Sequence, residues 1–544
     1  MPQLKSAYDE AMAQLSGPGA PFETTRETIA GIEYTVCTQA QPDLRALYTA
    51  AAEFGDKEFL IYEGERWTFA RMLQQAASFG HQLLHKSGVQ KGDRVAIAMR
   101  NYPEWMTAFI GITSIGAVAV PLNSWGQAKE LAFAINDAGA RVVFCDQQRL
   151  DLIADKLEEL DLQVVLARPE REQQPANTET VDQYVAGAES AAMPEVDIDT
   201  QDLAMMLYTS GTTGAPKGAV STHHAICQAI ANFECSAMAS AMINPEAIGH
   251  MLESGFEPTQ MLAVPLFHVS GCHAVFLSAF KAGRKVVMMH KWDVDKALQL
   301  IAAERITILS AAPSMLMQLL ESPHYDQADT SSLFGLGGGG SATPPRASRL
   351  MQEKVPKGYP GTGWGLTETN AIGTSFTGKP FQNKPGSAGY VQLTVEISVR
   401  DEAGKEVPPG ATGELWIKSP SLVKEYWNRP DANAKDFSEG WFNSGDIGYF
   451  DEDGYLFLSD RAKDMVIRGG ENIYPAEIEG VLFDHPQVED VAAFGIPDEK
   501  LGEQLAVAVV PKAGATISED DIRSYAGEHL DRFKVTHYVC IRDE

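Results

Sequence analysis

Apolar runs of strand length alternate with apolar segments of helix length through the first part of the chain. In "GVQKGDRVAIAMRN" (88–101) a turn at Gly92-Asp93 precedes a predicted strand. "YPEWMTAFIGITSIGA" (102–117) has the length and spacing of a buried helix, and "AVAVPLN" predicts the next strand. The helical "KELAFAINDAGA" and the strand "RVVFCD" follow. Strands separated by helices favour parallel pairing, so the pattern predicts an α/β sheet.

The same alternation resumes after residue 200. "LAMMLYTS" predicts a buried strand, and in the helix after residue 218 Ile226, Ile230 and Phe233 share one face. "MLAVPLF" and "TILSAAP" predict strands on either side of the helix "DVDKALQLIAAERI". Two segments break the pattern: residues 1–55 suggest a helical lead-in, and residues 238–260 suggest an irregular, methionine-bearing insert.

The last third of the chain changes character. Short predicted strands with turn pairs such as Asp453-Gly454 indicate a β-rich subdomain at about 386–460. After that, Pro475 is suited to the first turn of a helix, and Ser518 with Asp521 resembles a capping pair that opens the last helix. We therefore expect an α/β protein with a large domain of mixed layers over 1–460 and a small, mobile α+β domain over 461–544.

Charge and cysteine spacing narrow the class of protein. The net charge of −29 argues against nucleic-acid binding, which requires clustered cations. The six cysteines form neither a zinc-type pair nor a disulfide framework. The longest apolar run, "AFIGITSIGAVAVPL" (108–122), is too short to span a membrane. These features favour a cytoplasmic protein without a membrane span.

One loop carries candidate chemistry: "MMLYTSGTTGAPKG", residues 205–218. A Walker A loop is excluded, because Pro216 precedes Lys217 and Gly218 follows it. Glycines that allow close backbone approach, several hydroxyls and one lysine nevertheless suit a polyphosphate. The residues concerned are Thr209, Ser210, Gly211, Thr212, Thr213, Gly214 and Lys217. Composition alone also fits an ordinary surface loop rich in turn residues, and it leaves both interpretations open.

The full string "YTSGTTGAPKG" closely resembles the motif of the AMP-forming, adenylate-forming superfamily. That superfamily includes acyl-CoA synthetases, peptide-synthetase adenylation domains and firefly-type luciferases. Three further stretches match in the family's order: "GWGLTET" (363–369), "NSGDIGYFDEDGYLFLSDRAKD" (443–464) and "IRGGENIYPAEIE" (467–479). The resemblance spans roughly residues 40–540, nearly the whole chain.

The resemblance implies a site for ATP and Mg²⁺. The residues that it assigns to the nucleotide, besides the 209–217 loop, are Gly339, Gly340, Trp364, Gly365, Thr367, Asp446 and Arg461. Glu368, together with Thr209, would hold the metal, and Asp446 would bind the ribose hydroxyls, which suit a carboxylate with two acceptor oxygens. Trp364 stands where the family usually has a tyrosine beside the adenine. The catalytic residues implied are Lys217, His268, Thr367 and Glu368.

The resemblance also implies a hinge, a thiol site and an acid pocket. Lys463 falls at the family's hinge, and Gly469, Gly470 and Glu471 lie in the loop that would approach CoA. The positions that would line the acid pocket are Phe233, Cys235, His268, Val269, Ala311 and Gly338. These side chains are mostly small or apolar, which suits an alkyl or aryl tail.

The implied reaction joins a small-molecule carboxylic acid to AMP and then transfers the acyl group to CoA. A medium- or long-chain fatty acid is our first expectation. The alternatives are an aryl acid, transfer to a carrier protein, and a catalytically weak nucleotide-binding homologue. The insert at 238–260 either sets chain length or is a surface loop, and a homodimer is left open.

One departure from the family's pattern concerns the C-terminus. The family carries a catalytic lysine in a Pro-x-x-x-x-Gly-Lys stretch near the C-terminus, whereas this sequence reaches Glu544 in "KVTHYVCIRDE" before such a stretch. Lys534 lies too early to replace that lysine. We therefore expect slow adenylation by the 544-residue form.

Overall fold

The computed structural model describes residues 2–209, 216–339, 343, 345–461, 464–468, 471–498, 502–530 and 534–542. Helices of very different lengths are distributed along the described chain. They are α1 Pro2–Ser16, α2 Leu44–Ala51, α3 Phe69–His85, α4 Pro103–Ser114, α5 Ala128–Ala138, α6 Gln147–Ile153, α7 Val181–Val185, α8 His223–Ile243, α9 Pro245–Ser254, α10 Val269–Gly271, α11 Ser278–Lys281, α12 Val294–Glu304, α13 Pro313–Leu320, α14 Pro345–Lys354, α15 Lys379–Asn383, α16 Pro430–Asp436, α17 Pro475–Phe483 and α18 Glu519–His529.

The strands are mostly short. They are β1 Thr24–Ile29, β2 Ile32–Cys37, β3 Glu58–Tyr62, β4 Glu65–Thr68, β5 Arg94–Ala98, β6 Val118–Pro121, β7 Val142–Asp146, β8 Gln163–Ala167, β9 Thr178–Thr180, β10 Leu203–Thr209, β11 Lys217–Thr222, β12 Thr259–Leu262, β13 Lys285–Met288, β14 Ile308–Ala311, β15 Gly335–Gly338, β16 Gly361–Gly365, β17 Gly373–Thr377, β18 Ser387–Val391, β19 Glu396–Arg400, β20 Gly413–Lys418, β21 Glu425–Tyr426, β22 Phe437–Ser438, β23 Trp441–Phe450, β24 Leu456–Arg461, β25 Val466–Arg468, β26 Glu471–Ile473, β27 Val488–Asp498, β28 Gly502–Pro511 and β29 Tyr538–Ile541.

The first large sheet has the order β21-β11-β10-β6-β5-β7-β8-β9. From β10 to β9 neighbouring strands run parallel, as the alternation of strands and helices predicts. At the other edge β11 is antiparallel to β10, and β21 is antiparallel to β11. This edge brings residues 425–426 beside the strand that follows the glycine-rich loop.

The second large sheet has a parallel part and an antiparallel part. Strands β3, β13, β12, β14, β15 and β16 are parallel, and the sheet continues through β17, β18, β24, β23, β20 and β19 in antiparallel pairs. The predicted β-rich residues therefore extend a sheet that begins in the parallel layer. Gly454 has φ +77° in the turn before β24, the conformation expected of the Asp453-Gly454 pair.

Helix α4 lies in the largest apolar core. Eleven of its twelve residues are buried, and Trp105, Phe109 and Ile112 pack with residues of both large sheets. Pro103 begins this helix, where the absence of a backbone N–H costs no intrahelical hydrogen bond. The apolar run from this helix into β6 is thus a core helix followed by a buried strand, as the sequence predicts.

The C-terminal part forms a smaller α+β unit with its own core. Strands β26-β25-β28-β27 are antiparallel, β29 joins β28 in parallel, and α17 contacts β27 and α18. Ile478, Leu482, Val507 and Ile522 lie in its apolar core. Pro475 begins α17, and Ser518 and Asp521 form the predicted capping box of α18. The fold class, mixed α/β with a large N-terminal and a small C-terminal domain, is confirmed.

Two local predictions were wrong. The N-terminal segment contains the hairpin β1–β2 between α1 and α2, with its turn at Ala30 and Gly31 in positive φ. Residues 238–243 and 245–254 are helical, since α8 continues to Ile243 and α9 begins at Pro245. Asn244 separates the two helices and bonds the Thr377 carbonyl and the Lys379 N–H, so a distant segment fixes this break.

Among the helices that the structure describes, α8 is the one that is long and apolar enough to cross a membrane. Of its most apolar window, 56% is buried inside the protein, as in core helices generally.

A buried ion pair supports the carboxyl edge of the first sheet and generates a stability prediction. Asp146 and Arg149 are 3.1 Å apart with side chains 4% and 3% exposed, and Asp146 also accepts from the Arg100 N–H. Asp146→Ala leaves a buried guanidinium without its carboxylate, so we expect a loss of about 3–5 kcal/mol in the free energy of unfolding.

Urea unfolding of the wild type and variants measures this loss. The double variant Asp146→Ala/Arg149→Met removes both charges and should regain most of the stability. If the single variant unfolds at the wild-type urea concentration, the pair does not stabilise this edge.

Candidate active site

The two ends of the glycine-rich loop are held together by strand pairing. Thr209, the last residue of β10, pairs with Lys217, the first residue of β11, and the Thr209 hydroxyl donates to the Lys217 carbonyl at 3.4 Å. The sequence candidates Ser210, Gly211, Thr212, Thr213 and Gly214 lie outside the described residues. The hairpin therefore fixes where the loop begins and ends.

Residues from three parts of the chain support the base of this loop. The Tyr208 hydroxyl donates to Asp137 at 2.9 Å, and Arg429 pairs with the other oxygen of Asp137 at 2.9 Å. The backbone N–H of Trp427 donates to the Gly218 carbonyl at 2.7 Å. Burial, with the neighbouring carboxylate, raises the pKa of Tyr208, so it remains a neutral donor.

Lys217 contacts an acid and an aromatic ring. Its Nζ lies 3.1 Å from Asp436 Oδ2, at the end of α16, and 4.1 Å from the centre of the Tyr426 ring. The two charged side chains are about one-fifth exposed, 23% for Lys217 and 19% for Asp436. The ammonium is thus held at the exit of the loop by a salt bridge and a cation–π contact.

Tyr426 also contacts Glu368, the proposed metal ligand. The Tyr426 hydroxyl donates to Glu368 Oε1 at 2.7 Å; Tyr426 is 3% exposed and Glu368 is 9% exposed. Burial and the Glu368 carboxylate raise the pKa of Tyr426, which keeps the phenol protonated as a donor. One tyrosine therefore lies between the loop lysine and the acidic residue.

The local chemistry fits a magnesium ion. Glu368 lies in the short turn Thr367–Thr369, with Thr367 beside it. The described residues contain no group of three or more His, Cys, Asp or Glu side chains placed for a metal. Mg²⁺ commonly uses one or two carboxylates together with water and substrate phosphates, so Glu368 with a bound triphosphate matches its preference.

A second buried carboxylate lies near the end of β16. Trp364 Nε1 donates to Asp446 Oδ2 at 2.7 Å, and the two residues are 8% and 5% exposed. In the backbone register of β23 and β24, Arg461 lies opposite Asp446. The indole thus replaces the family's usual tyrosine with a nitrogen donor that contacts the proposed ribose ligand directly.

Close backbone packing surrounds this strand. A Cβ on Gly365 would lie 2.4 Å from the Ala371 carbonyl oxygen, and one on Gly338 would lie 2.7 Å from the Thr343 hydroxyl. By contrast, a Cβ on Gly339 would meet no atom within 4 Å. Gly365 is therefore required by backbone packing, Gly338 contacts only a side-chain hydroxyl, and Gly339 borders open space. Gly340 lies outside the described residues.

The proposed acid-pocket residues fall on neighbouring elements. Ala311 and Gly338 pair across β14 and β15, and Phe233 packs against the apolar cluster that contains Trp364. Val269 is buried in the core that Phe233 also contacts. His268 is exposed, with its ring 4.4 Å from that of Phe267.

Cys235, also proposed for the acid pocket, lies two positions after Phe233 on α8. Positions two apart on a helix point in nearly opposite directions, so Cys235 faces away from Phe233. It is fully buried in a core that contains Tyr8 and also Ala311, another proposed pocket residue. That Cys235 lines the acid pocket stays a prediction.

The small domain contacts the large one beside β24. Arg349 pairs with Asp484 at 2.9 Å, and the Ala476 N–H donates to Asp460 at 3.0 Å. Lys463, Gly469 and Gly470 lie outside the described residues, and Glu471 begins β26.

Comparison with known proteins identifies the family. The protein-family model described as AMP-binding enzyme matches residues 47–427. The family model described as AMP-binding enzyme C-terminal domain matches residues 477–544. The chain belongs to the AMP-binding enzyme family. This AMP-binding enzyme is 35% identical over 487 residues to a long-chain-fatty-acid–CoA ligase of Mycobacterium tuberculosis, covering 88% of this chain and 90% of the relative. It is 31% identical to a feruloyl-CoA synthase of Amycolatopsis, covering 88% and 91%.

Solved structures agree with this assignment. A fatty acyl CoA synthetase of Mycobacterium tuberculosis matches with a TM-score of 0.70 and 31% identity, covering 92% of this chain and 95% of that chain. The o-succinylbenzoate CoA synthetase of Bacillus subtilis, solved with its acyl-adenylate intermediate, matches with a TM-score of 0.75 and 29% identity, covering 92% and 94%. The AMP-binding enzyme therefore shares its fold with acid–CoA ligases over nearly its whole length.

Sequence reasoning missed two residues of this AMP-binding enzyme site, Tyr426 and Asp436. Both lie in "EYWNRPDANAKDF" (425–437), which has neither a glycine-rich turn nor clustered acids. In the sequence they are only an aromatic residue and an acid on either side of Pro430. Their relation to Lys217 becomes visible only in the structure, where β21 pairs with β11.

The contact between Trp364 and Asp446 generates a prediction for this AMP-binding enzyme. Trp364→Phe keeps a flat ring but removes the donor to Asp446, and a hydrogen bond to a charged group is worth about 1.5–3 kcal/mol. With Asp446 in its proposed ribose-binding role, we expect the KM for ATP to rise about tenfold or more with kcat nearly unchanged, in steady-state assays of AMP release.

Trp416→Phe is the matched control, because Trp416 stacks on Arg400 within the antiparallel part of the second sheet. Equal KM values for the two variants would show that the indole N–H does not assist nucleotide binding.

Proposed function

We propose that this protein is an ATP-dependent acid–thiol ligase that forms acyl-AMP and then acyl-CoA. The observation that carries the proposal is the placement of Lys217, Glu368 and Asp446. Tyr426 contacts both Lys217 and Glu368, and Glu368 lies four positions after Trp364, which donates to Asp446. A site with phosphate ligands at one end and a ribose ligand at the other is the arrangement that ATP requires.

In the first step, a carboxylate oxygen of the acid attacks the α-phosphorus of ATP. The new O–P bond forms as the bond to the bridging oxygen of pyrophosphate breaks. Lys217 and the loop before it would hold the β- and γ-phosphates, and Thr367 would donate to the α-phosphate. Magnesium, when bound through Glu368 and Thr209, supplies further neutralisation of phosphate charge. Catalysis is then mostly positioning and charge stabilisation.

In the second step, the sulfur of CoA attacks the acyl carbon and AMP departs, while the thiol proton is released. Gly469, Gly470 and Glu471 are proposed to receive the CoA arm, and His268 is proposed to lie beside the acyl group. Since the two steps need different surroundings, we propose that the small domain, 461–544, rotates about Lys463 relative to the large domain, 1–460.

For the acid we propose a medium- or long-chain fatty acid. The small or apolar side chains of Phe233, Val269, Ala311 and Gly338 support an alkyl tail, as does the 35% identity to a long-chain-fatty-acid–CoA ligase. An aryl acid is the second candidate, because a feruloyl-CoA synthase is 31% identical over a similar length. The free cysteines fit a reducing compartment such as the cytoplasm, where we place the reaction.

An acid panel tests this proposal. The enzyme is incubated with ATP, Mg²⁺, CoA and one of octanoate, dodecanoate, palmitate, ferulate or phenylalanine, and thioester mass and AMP are measured together. We expect the fatty acids to give acyl-CoA and AMP in equal amounts. Glu368→Gln should lower kcat by roughly 100-fold or more, the scale seen when one charge-stabilising group is removed from an active site.

Glu402→Gln, at an exposed turn, is the control and should retain the wild-type rate. Acyl-AMP without thioester would assign the enzyme to a carrier-protein acceptor. AMP formation that does not depend on any acid would contradict the ligase proposal.

A further inference from the structure

The loop lysine is already paired in the structure. Its Nζ lies 3.1 Å from Asp436 Oδ2, which is the carboxylate that pairs with it among the described residues. The proposed function requires the same ammonium to bind phosphates. An ammonium is a compact point charge with three donors, so it can exchange one anionic partner for another by a small rotation of its stem.

A single structural unit positions both Asp436 and Tyr426. The Asn433 side chain accepts from the Tyr426 N–H at 2.7 Å and donates to the Tyr426 carbonyl at 2.9 Å. Asn433 lies on α16, the helix that ends at Asp436. The backbone of Tyr426 is also paired with β11 at Ala219, two residues after Lys217. The tyrosine ring, the aspartate and the lysine are therefore placed together by β11, β21 and α16.

Tyr426 makes different contacts with its two ends. Its ring face lies against the Lys217 ammonium and its hydroxyl donates to Glu368. The hydroxyl occupies one oxygen of Glu368 and so limits how the carboxylate can rotate. Hydrogen-bond partners of this kind fix the orientation of a metal-binding side chain.

We propose that Asp436 and Tyr426 are positioning residues for Mg-ATP. Asp436 holds Lys217 when no nucleotide is bound and competes with the triphosphate for it, while Tyr426 orients Glu368 toward the metal. The proposal rests on the proposed function, in which Lys217 faces the phosphates and Glu368 faces Mg²⁺. It adds that nucleotide binding includes the exchange of Asp436 for phosphate at Lys217.

The two residues predict opposite effects. Asp436→Asn removes the competing charge, and a partly exposed ion pair is worth up to about 1 kcal/mol, so ATP should bind about twofold to fivefold more tightly. Tyr426→Phe keeps the ring over Lys217 but removes the donor to Glu368. Loss of such a partner commonly lowers metal affinity 10–100-fold, so the Mg²⁺ concentration for half-maximal activity should rise about tenfold or more.

Calorimetry of ATP binding to the full chain, with and without Mg²⁺, tests both effects without requiring turnover. We expect Asp436→Asn to lower the Kd for ATP in both conditions. Tyr426→Phe should weaken binding only when Mg²⁺ is present, and high Mg²⁺ should restore it. Asp431→Asn, an exposed acid at the start of the same helix, is the control and should bind ATP as the wild type does.

The outcomes separate this proposal from the proposed function. An unchanged or weaker affinity for ATP in Asp436→Asn, or a Mg²⁺ dependence unchanged in Tyr426→Phe, would overturn the positioning roles even if the acid panel succeeds. Failure of the wild type to release AMP with every acid would overturn the ligase function, while the binding measurements would still report on Asp436 and Tyr426.

Discussion

The pairing of β11 with β10 on one side and with β21 on the other is the constraint on which the proposed phosphate end of the site depends. The first pairing brings Thr209 and Lys217 together at the two ends of the glycine-rich loop. The second brings Tyr426 beside a strand more than 200 positions earlier in the chain. Because antiparallel register is fixed by backbone hydrogen bonds, Lys217 and Tyr426 meet in a defined geometry rather than through flexible side chains alone.

Two buried acids of the proposed site accept hydrogen bonds from different aromatic side chains. Glu368 accepts from a phenol and Asp446 accepts from an indole, so each carboxylate is desolvated with a neutral donor on one oxygen. A buried carboxylate remains ionised at moderate cost when donors satisfy it. Glu368 is the proposed ligand of the metal, and Asp446 is the proposed ligand of the ribose.

Much of this arrangement could be predicted from local sequence. Alternating apolar segments predicted the parallel sheets, because a buried strand and a buried helix differ in length and flanking turns. The motifs marked Thr209, Lys217, Trp364, Glu368 and Asp446 as proposed site residues, because their glycines, hydroxyls and acids are clustered within a few residues. The fold class and the family followed from the same stretches.

What could not be predicted depends on contacts between distant segments. Tyr426 and Asp436 lie in a stretch whose residue types have no meaning until β21 joins β11. The end of α8 is fixed by bonds from Asn244 to residues near 378, which no local pattern contains. The packing of Cys235 against the N-terminal helix is likewise absent from a sequence window, which does not show which side of α8 faces that helix.

We propose that this fold holds Mg-ATP between the glycine-rich loop, Glu368 and Asp446. A crystal structure of the complex with ATP and Mg²⁺ is the decisive measurement. We expect phosphates beside Lys217, the metal on Glu368 and the ribose on Asp446, with Asp436 separated from Lys217. A nucleotide bound elsewhere, or bound with its ribose away from Asp446, would show that these residues do not form the ATP site.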